Sequence, residues 1–187
     1  MSKVLRASVL VMIFTVLFAS SSFANEFMEK NTTFNFQLGL ISPGTFWVDS
    51  SDFESDMSYS LSAGLDYKLG PKISGGLVTN IGNFSVWDNS STMFEFGFSL
   101  KAWIKPDNAN LIIRPGFGLC YGALSSNNAT DSSGFFVING TVELIFPTES
   151  GINWLAMIGI TGAPTGGNDD YEMTYGPGFI LRGGVTF

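Results

Sequence analysis

The chain has 187 residues, the length of one domain, and 13% of them are charged, against about 25% in an average soluble protein. Its net charge is −7 and it contains no histidine, which argues against nucleic-acid binding and against enzymes that use histidine as general base. The single cysteine, Cys120, cannot form an internal disulfide, so we expect a fold that does not depend on one.

The N-terminus has the organisation of a secretory signal. Two basic residues precede an apolar run over 7–19, and Ser22-Phe23-Ala24 places small residues at the two positions that a signal peptidase recognises. The apolar run is too short for a transmembrane anchor, which needs about 20 residues. We therefore expect a signal peptide over 1–24 and a mature domain over 25–187, which is more acidic than the whole chain.

Eight segments follow in which apolar residues alternate with small or polar ones. In the first, Phe34 and Phe36 fall on one face of a strand, and Asn35 and Gln37 fall on the other. No apolar run outside the signal is long enough for a membrane helix, so a membrane protein with this pattern must cross with strands. The predicted strands lie at about 34–41, 58–67, 73–82, 93–103, 111–123, 135–146, 152–162 and 175–187.

The last segment shows the alternation most clearly. From Tyr175 to Phe187 the odd positions are apolar, aromatic or glycine, while the even positions are small or polar apart from Ile180. The one charge, Arg182, is on the polar face. A strand of this length that ends in an aromatic residue suits a membrane barrel better than a soluble sheet. The fold class that we predict is all-β: an eight-stranded antiparallel up-and-down transmembrane β-barrel.

The connections alternate in length, as they do in transmembrane barrels, where outer loops are long and periplasmic turns are short. With eight strands, both chain ends are then expected in the periplasm. The connections predicted outside are 42–57, 83–92, 124–134 and 163–174, and the predicted periplasmic turns are 68–72, 104–110 and 147–151.

Aromatic residues gather near the strand ends, which predicts two girdles at the membrane interfaces. Phe46, Trp47 and Phe53 in the first outer loop belong to the outer girdle or contact a partner. The periplasmic girdle comprises Tyr67, Trp103, Phe146, Trp154 and Phe187, and the outer girdle comprises Tyr59, Trp87, Phe94, Tyr121, Phe135 and Tyr175.

The alternative fold is a soluble periplasmic lipid-binding barrel, which would carry its charges on the outside and apolar residues within. The charges of this chain follow the opposite rule, because the strand-borne ones fall on the minority polar face and leave the apolar face almost uncharged. A soluble exterior of that kind would aggregate, so we favour the membrane barrel. The charges concerned are Asp66, Glu95, Lys101, Arg114, Glu143 and Arg182.

These inward charges are expected to pair, because an eight-stranded barrel is only wide enough to be filled by its own side chains. Arg114 and Glu143 lie at equal distances before and after the third outer loop, and Lys101 lies near Arg114 across a short turn. Asp66 and Arg182 are predicted at a similar depth. This lumen ion-pair cluster, to which Glu95 also belongs, is either a plug of salt bridges or the gate of a narrow pore.

The predicted outer loops carry acidic residues and no basic ones. They form either a solvated acidic rim or a binding site for divalent cations, alone or bridged to lipopolysaccharide phosphates. The weak candidates for metal ligands, which lack the spacing and central glycine of a calcium loop, are Asp49, Asp52, Glu54 and Asp56. The other loop carboxylates are Asp88, Asp131, Asp169, Asp170 and Glu172.

Taken together, these features resemble the small eight-stranded outer-membrane barrels of Gram-negative bacteria, the class of OmpX and the OmpA barrel domain. The C-terminal Val185 and Phe187 are similar to the assembly signal of that class. The resemblance implies an outer-membrane location, contact with outer-membrane lipid and lipopolysaccharide, and recognition by the barrel-insertion machinery.

Two functions remain open at this stage, and neither is enzymatic or requires a cofactor. The first is a structural or porin-like small-pore barrel with an ion-paired lumen. The second is a surface recognition or adhesion protein that binds a partner through its acidic, aromatic outer loops. The sequence indicates no oligomeric state.

Overall fold

The computed structural model of the chain describes residues 22–49, 51–86, 89–107, 109–126 and 133–187. Most of the predicted signal peptide, together with Trp87, Asp88 and Asp131, lies outside these ranges. Among the described residues, no helix is long and apolar enough to cross a membrane. The elements are α1 (Ser22–Glu29), β1 (Thr32–Ser42), β2 (Thr45–Val48), β3 (Ser51–Glu54), β4 (Ser58–Gly70), β5 (Ile73–Val86), β6 (Asn89–Ala102), β7 (Ile112–Ser126), β8 (Ser133–Phe146), β9 (Asn153–Gly167) and β10 (Met173–Thr186).

Eight of these strands close into an antiparallel barrel. From β4 to β10 each strand pairs with its neighbour in sequence, β1 pairs with β4, and β10 pairs back with β1. The closing register runs from Asn35↔Thr186 to Ser42↔Phe179. The predicted eight-stranded up-and-down barrel is therefore confirmed. The strands are longer than predicted, since β5 and β6 extend well into the connection predicted over 83–92.

The two faces of the strands meet different surroundings. On β6, Phe98 is 68% exposed and Leu100 is 55% exposed, while Ser99 and Lys101 are buried. The same alternation runs along the other barrel strands, so polar side chains fill the lumen and apolar ones form the exterior. An apolar exterior of this extent is far larger than soluble proteins tolerate and matches the hydrocarbon core of a bilayer.

The connections divide the barrel into two ends, which we call the turn end and the loop end. The turn end carries the short connections after β4, β6 and β8, whereas the loop end carries the hairpin formed by β2 and β3. This hairpin, which the sequence did not predict, continues the seam of the barrel, because β2 pairs with the start of β10 from Phe46↔Tyr175 to Val48↔Met173.

A β-bulge lies where β10 changes partner from β1 to β2. Tyr175 faces Ala163 and Gly178 faces Thr161, so β10 has one more residue than β9 between these pairs. Glycine is needed at position 178, because a Cβ there would overlap the carbonyl oxygen of Ser42. The extra residue reverses the alternation of β10 on its loop-end side.

Three residues predicted to lie in the aromatic girdles point into the lumen instead. Tyr175 is buried because the bulge turns it inward, and Phe135 and Trp103 are buried because they continue the inward rows of β8 and β6. The girdle prediction is wrong for these three. The described girdle residues that are exposed on the exterior are Tyr59, Tyr67, Phe94, Tyr121, Trp154 and Phe187.

Candidate functional site: the barrel lumen

Among the described residues, the inward rows of five strands bring six acidic or basic side chains into the lumen. Three are carboxylates and three are cations, so the lumen has no net charge when all six are ionised. None is more than 8% exposed. They are Asp66 on β4, Glu95 and Lys101 on β6, Arg114 on β7, Glu143 on β8 and Arg182 on β10.

Four of these charges form a ring near the turn end, in which cations and anions alternate. Arg114 Nη2 lies 2.6 Å from Glu143 Oε2, and Lys101 Nζ lies 3.1 Å from Glu143 Oε1. On the other side of the ring, Asp66 Oδ2 is 2.9 Å from Lys101 Nζ and 3.3 Å from Arg114 Nη1. Each charge therefore touches two of opposite sign, which offsets the desolvation of all four. We call this the four-residue ring (Asp66, Lys101, Arg114 and Glu143).

Neutral side chains of β1 complete the hydrogen bonding of this ring. Asn35 donates from Nδ2 to Asp66 Oδ2 at 2.7 Å and accepts at Oδ1 from Arg114 Nη2 at 3.0 Å. Gln37 donates to Glu143 Oε1 at 3.4 Å. The amides tie the first strand to strands on the opposite wall, since β1 adjoins neither β7 nor β8. The sequence placed both amides inward but gave no indication of these contacts.

The other two charges lie apart from the ring and are joined through an amide. Asn80 donates from Nδ2 to Glu95 Oε2 at 2.8 Å and accepts at Oδ1 from Arg182 Nη1 at 2.8 Å. Arg182 Nε donates to Ser60 Oγ at 3.0 Å. Arg182 forms no direct ion pair with a described residue, so the structure does not bring it into the cluster with Lys101. We call this the amide-bridged pair (Glu95, Asn80 and Arg182).

Aromatic side chains pack together at both ends of this polar interior. At the turn end, the Trp103 ring lies 5.0 Å from the Arg114 guanidinium and stacks on Phe27 of α1 at 5.5 Å. At the loop end, Phe46 from the hairpin packs on Tyr175 at 5.2 Å, and Phe135 meets Tyr175 edge-on at 5.7 Å. The polar interior therefore lies between two aromatic caps.

Little space remains between the ring and the amide-bridged pair. A cavity of about 40 Å³, measured as the space open to the centre of a water molecule, is lined by residues that include Gln37, Asn139, Glu143 and Arg182. That is room for roughly three waters, since one needs about 10–15 Å³ on this measure. This cavity can hold water between the two groups of charges.

The candidate metal ligands of the first outer loop do not converge. Asp49 accepts at Oδ1 from the backbone nitrogen of Glu172 at 3.2 Å, and Asp52 faces Trp47 across the hairpin. Glu54 and Asp56 are exposed. Among the described residues, no group of three or more carboxylate, cysteine or histidine side chains is close enough to hold a metal ion.

The C-terminal residues proposed as an assembly signal lie on the exterior at the turn end. Val185 faces Phe36 on β1 and Trp154 on β9. Phe187 exchanges two backbone hydrogen bonds with Phe34, of 2.9 and 3.0 Å, and its ring stacks on those of Phe34 and Phe36. The terminal ring is 42% exposed and contributes to the turn-end aromatic girdle.

No family model matches the chain, and no curated protein has a significantly similar sequence. Among solved structures it is similar to Neisserial surface protein A, with a TM-score of 0.58 and 8% identity over 84% of this chain and 96% of that one. It is also similar to the N-terminal β-barrel domain of Pseudomonas aeruginosa OprF, with a TM-score of 0.49 and 12% identity over 84% of this chain and 98% of that one. The attachment invasion locus protein Ail of Yersinia pestis gives a TM-score of 0.47 and 10% identity over 84% and 100% of the two chains. The chain thus has the fold of the small eight-stranded outer-membrane β-barrels.

Proposed function

We propose that the protein is an integral outer-membrane barrel with a structural role, whose lumen is held closed by its own side chains. The observation that carries this proposal is the neutral, cross-connected interior between two aromatic caps. A conducting path would have to separate the four-residue ring, and each charge left alone in such a confined site is strongly unfavourable. The small-pore interpretation is therefore the less favoured of the two functions proposed for the lumen.

The ring also explains why a closed lumen would retain charges rather than an apolar core. Arg114 and Asp66 lie on strands β7 and β4, which do not adjoin each other, yet they are 3.3 Å apart across the lumen. Such contacts are satisfied in one register of the barrel and broken in others, so they specify a single closed structure. Lipid-facing residues cannot distinguish registers that differ by two residues, because they meet the same hydrocarbon in each.

Single-channel recording tests the proposal directly. The purified protein in planar bilayers should give no conductance steps, and Glu143→Ala should remain silent although it is less stable. The matched control is Glu149→Ala, in the short connection after β8. This variant should match the wild-type protein in conductance and in stability. Regular conductance steps from the wild-type protein would contradict the closed lumen and favour the small pore.

The same proposal places the turn end and both termini in the periplasm and the loop end outside the cell. It is supported by the short turns after β4, β6 and β8. Single cysteines at Asp52 and Asp170 should react with a membrane-impermeant maleimide on intact cells, whereas cysteines at Pro71, Asp107 and Glu149 should not. The native Cys120 is replaced in this experiment. The reverse labelling pattern would invert the topology.

Lipid, lipopolysaccharide and the barrel-insertion machinery are the partners that we propose. The apolar exterior supports the first two, and the exposed Phe187 on the last strand supports the third. We propose no enzymatic role, because the sequence lacks the histidine on which hydrolases of this barrel size rely. The second candidate function is recognition of a surface partner.

One observation favours that second candidate. The β2–β3 hairpin is anchored by Phe46, which is buried, while the adjacent Trp47 is 42% exposed beside Asp52. A strand-paired hairpin that presents an aromatic residue beside a carboxylate suits a contact surface, since aromatic residues carry much of the energy of protein interfaces. Cell-binding assays that compare Trp47→Ala with the wild-type protein test this function, and equal binding would contradict it.

A further inference from the structure

We propose that residues 25–30 form a detachable lid over the turn end of the lumen, and that Phe27 is its plug. Phe27 is 2% exposed although it lies outside every strand, because its ring stacks on Trp103 at an interplanar angle of 24°. The segment precedes β1 and follows the predicted cleavage site after Ala24. Cleavage at the predicted site would leave residues 25–30 in the mature protein, and the inference of a lid rests on the closed lumen proposed above.

The described contacts between the lid and the barrel are side-chain packing and one hydrogen bond, whereas the surface beneath the lid is fixed. Phe27 stacks on Trp103, Met28 packs against the buried hydrophobic core, and Lys68 Nζ donates a hydrogen bond to the carbonyl oxygen of Met28. No described strand pairs with α1. Trp103, by contrast, donates from Nε1 to Ser74 Oγ at 2.7 Å and from its backbone nitrogen to the Lys72 carbonyl at 2.8 Å. The lid can thus leave without breaking the barrel.

The lid covers the four-residue ring through Trp103. The indole ring lies 5.0 Å from the Arg114 guanidinium, which has no exposed surface, and 5.3 Å from Lys68 Nζ. With Phe27 removed, water from the turn end would reach the indole of Trp103 and the edge of the four-residue ring. The loop-end cap of Phe46, Phe135 and Tyr175 would stay in place, so opening the lid hydrates a dead-end chamber and creates no through-path.

Fluorescence quenching of Trp103 tests the lid. The protein is purified from outer membranes with Trp47, Trp87 and Trp154 replaced by Phe, so that Trp103 is the only emitter, and is reconstituted in liposomes. Phe27→Ala should raise the acrylamide quenching constant of Trp103 several-fold and shift its emission to longer wavelength. Phe27→Leu, which keeps an apolar plug, should restore most of the protection.

The matched control is Phe34→Ala, which removes a ring of the same size from the lipid-facing side of β1 and should leave Trp103 quenching unchanged. Heat modifiability on gels shows that each variant retains a folded barrel. Failure of Phe27→Ala to fold would contradict a lid that can leave the barrel intact. Equal quenching of Trp103 in folded barrels with Phe27 and with Phe27→Ala would also overturn the lid.

Conductance separates this inference from the function on which it rests. Phe27→Ala should remain silent in planar bilayers, since the loop-end cap is intact. Increased quenching with new conductance steps would support the lid and contradict the closed loop end. Conductance of the wild-type protein with unchanged quenching in Phe27→Ala would overturn both.

Discussion

Removing one member of the four-residue ring should destabilise the barrel by much more than removing an exposed charge. Glu143→Ala breaks the contact with Arg114 at 2.6 Å and the contact with Lys101 at 3.1 Å. Lys101 and Arg114 then share Asp66 as their one remaining carboxylate partner in the ring. Breaking a buried pair in this way costs about 3–5 kcal/mol, and we expect the lower part of that range because the adjacent cavity admits some water.

The double variant Arg114→Ala with Glu143→Ala should recover part of this loss. It leaves Lys101 paired with Asp66 at 2.9 Å, so no charge is left without a partner. The coupling energy between the two changes should fall between about 0.5 and 3 kcal/mol, the range of residues that share an ion-pair network. The free energy of unfolding is measured from urea titrations in liposomes, followed by tryptophan emission.

The control cycle combines Arg114→Ala with Glu149→Ala. Glu149 is exposed in the connection after β8, so the two effects should add within about 0.5 kcal/mol. If Arg114→Ala and Glu143→Ala were additive to the same extent, the ring would contribute nothing as a unit. That result would contradict the proposal that the four-residue ring holds the lumen closed.

Three further changes test other parts of the structure. Phe96→Arg, near the middle of the lipid-facing row of β6, should cost about 2–4 kcal/mol in unfolding free energy, and a neutral effect would contradict the assignment of the exterior. Asn80→Ala should lower the free energy of unfolding by about 1.5–3 kcal/mol, because it removes hydrogen bonds to two buried charges, whereas Asn83→Ala, at an exposed amide, should have little effect. Phe187→Ser should leave more unfolded protein in the periplasm, as judged by heat modifiability, and unchanged amounts of folded barrel would argue against an assembly role.

The parts of the fold that follow from local alternation could be predicted from the sequence. Side chains on a strand change sides at every residue, so the inward and outward rows followed directly from the pattern. The pairing of Arg114 with Glu143 also required only counting, because β7 and β8 are adjacent and joined by one connection. In both cases the prediction requires only one strand, or two strands that follow each other in the sequence.

Contacts across the lumen could not be predicted in the same way. They depend on the tilt and stagger of the closed barrel, which displace distant strands relative to one another. Arg182 was expected in the lumen ion-pair cluster at a depth similar to that of Asp66, yet it joins Asn80 and Ser60 instead. The bulge before Gly178 has no periodic signal, and it reversed the predicted side of Tyr175.

The first and last strands pair edge to edge. The same barrel could therefore be built from a chain in which the strands follow one another in a different order. Phe34 and Phe187 exchange backbone hydrogen bonds, so a short linker could join the two ends and a new opening could be made in the connection at 147–151. Such a circular permutant would keep the strand pairings described here while moving Phe187 into the interior of the sequence. Folding in detergent and insertion in the cell would then report on two different properties of one molecule: its tertiary structure and the identity of its last residue.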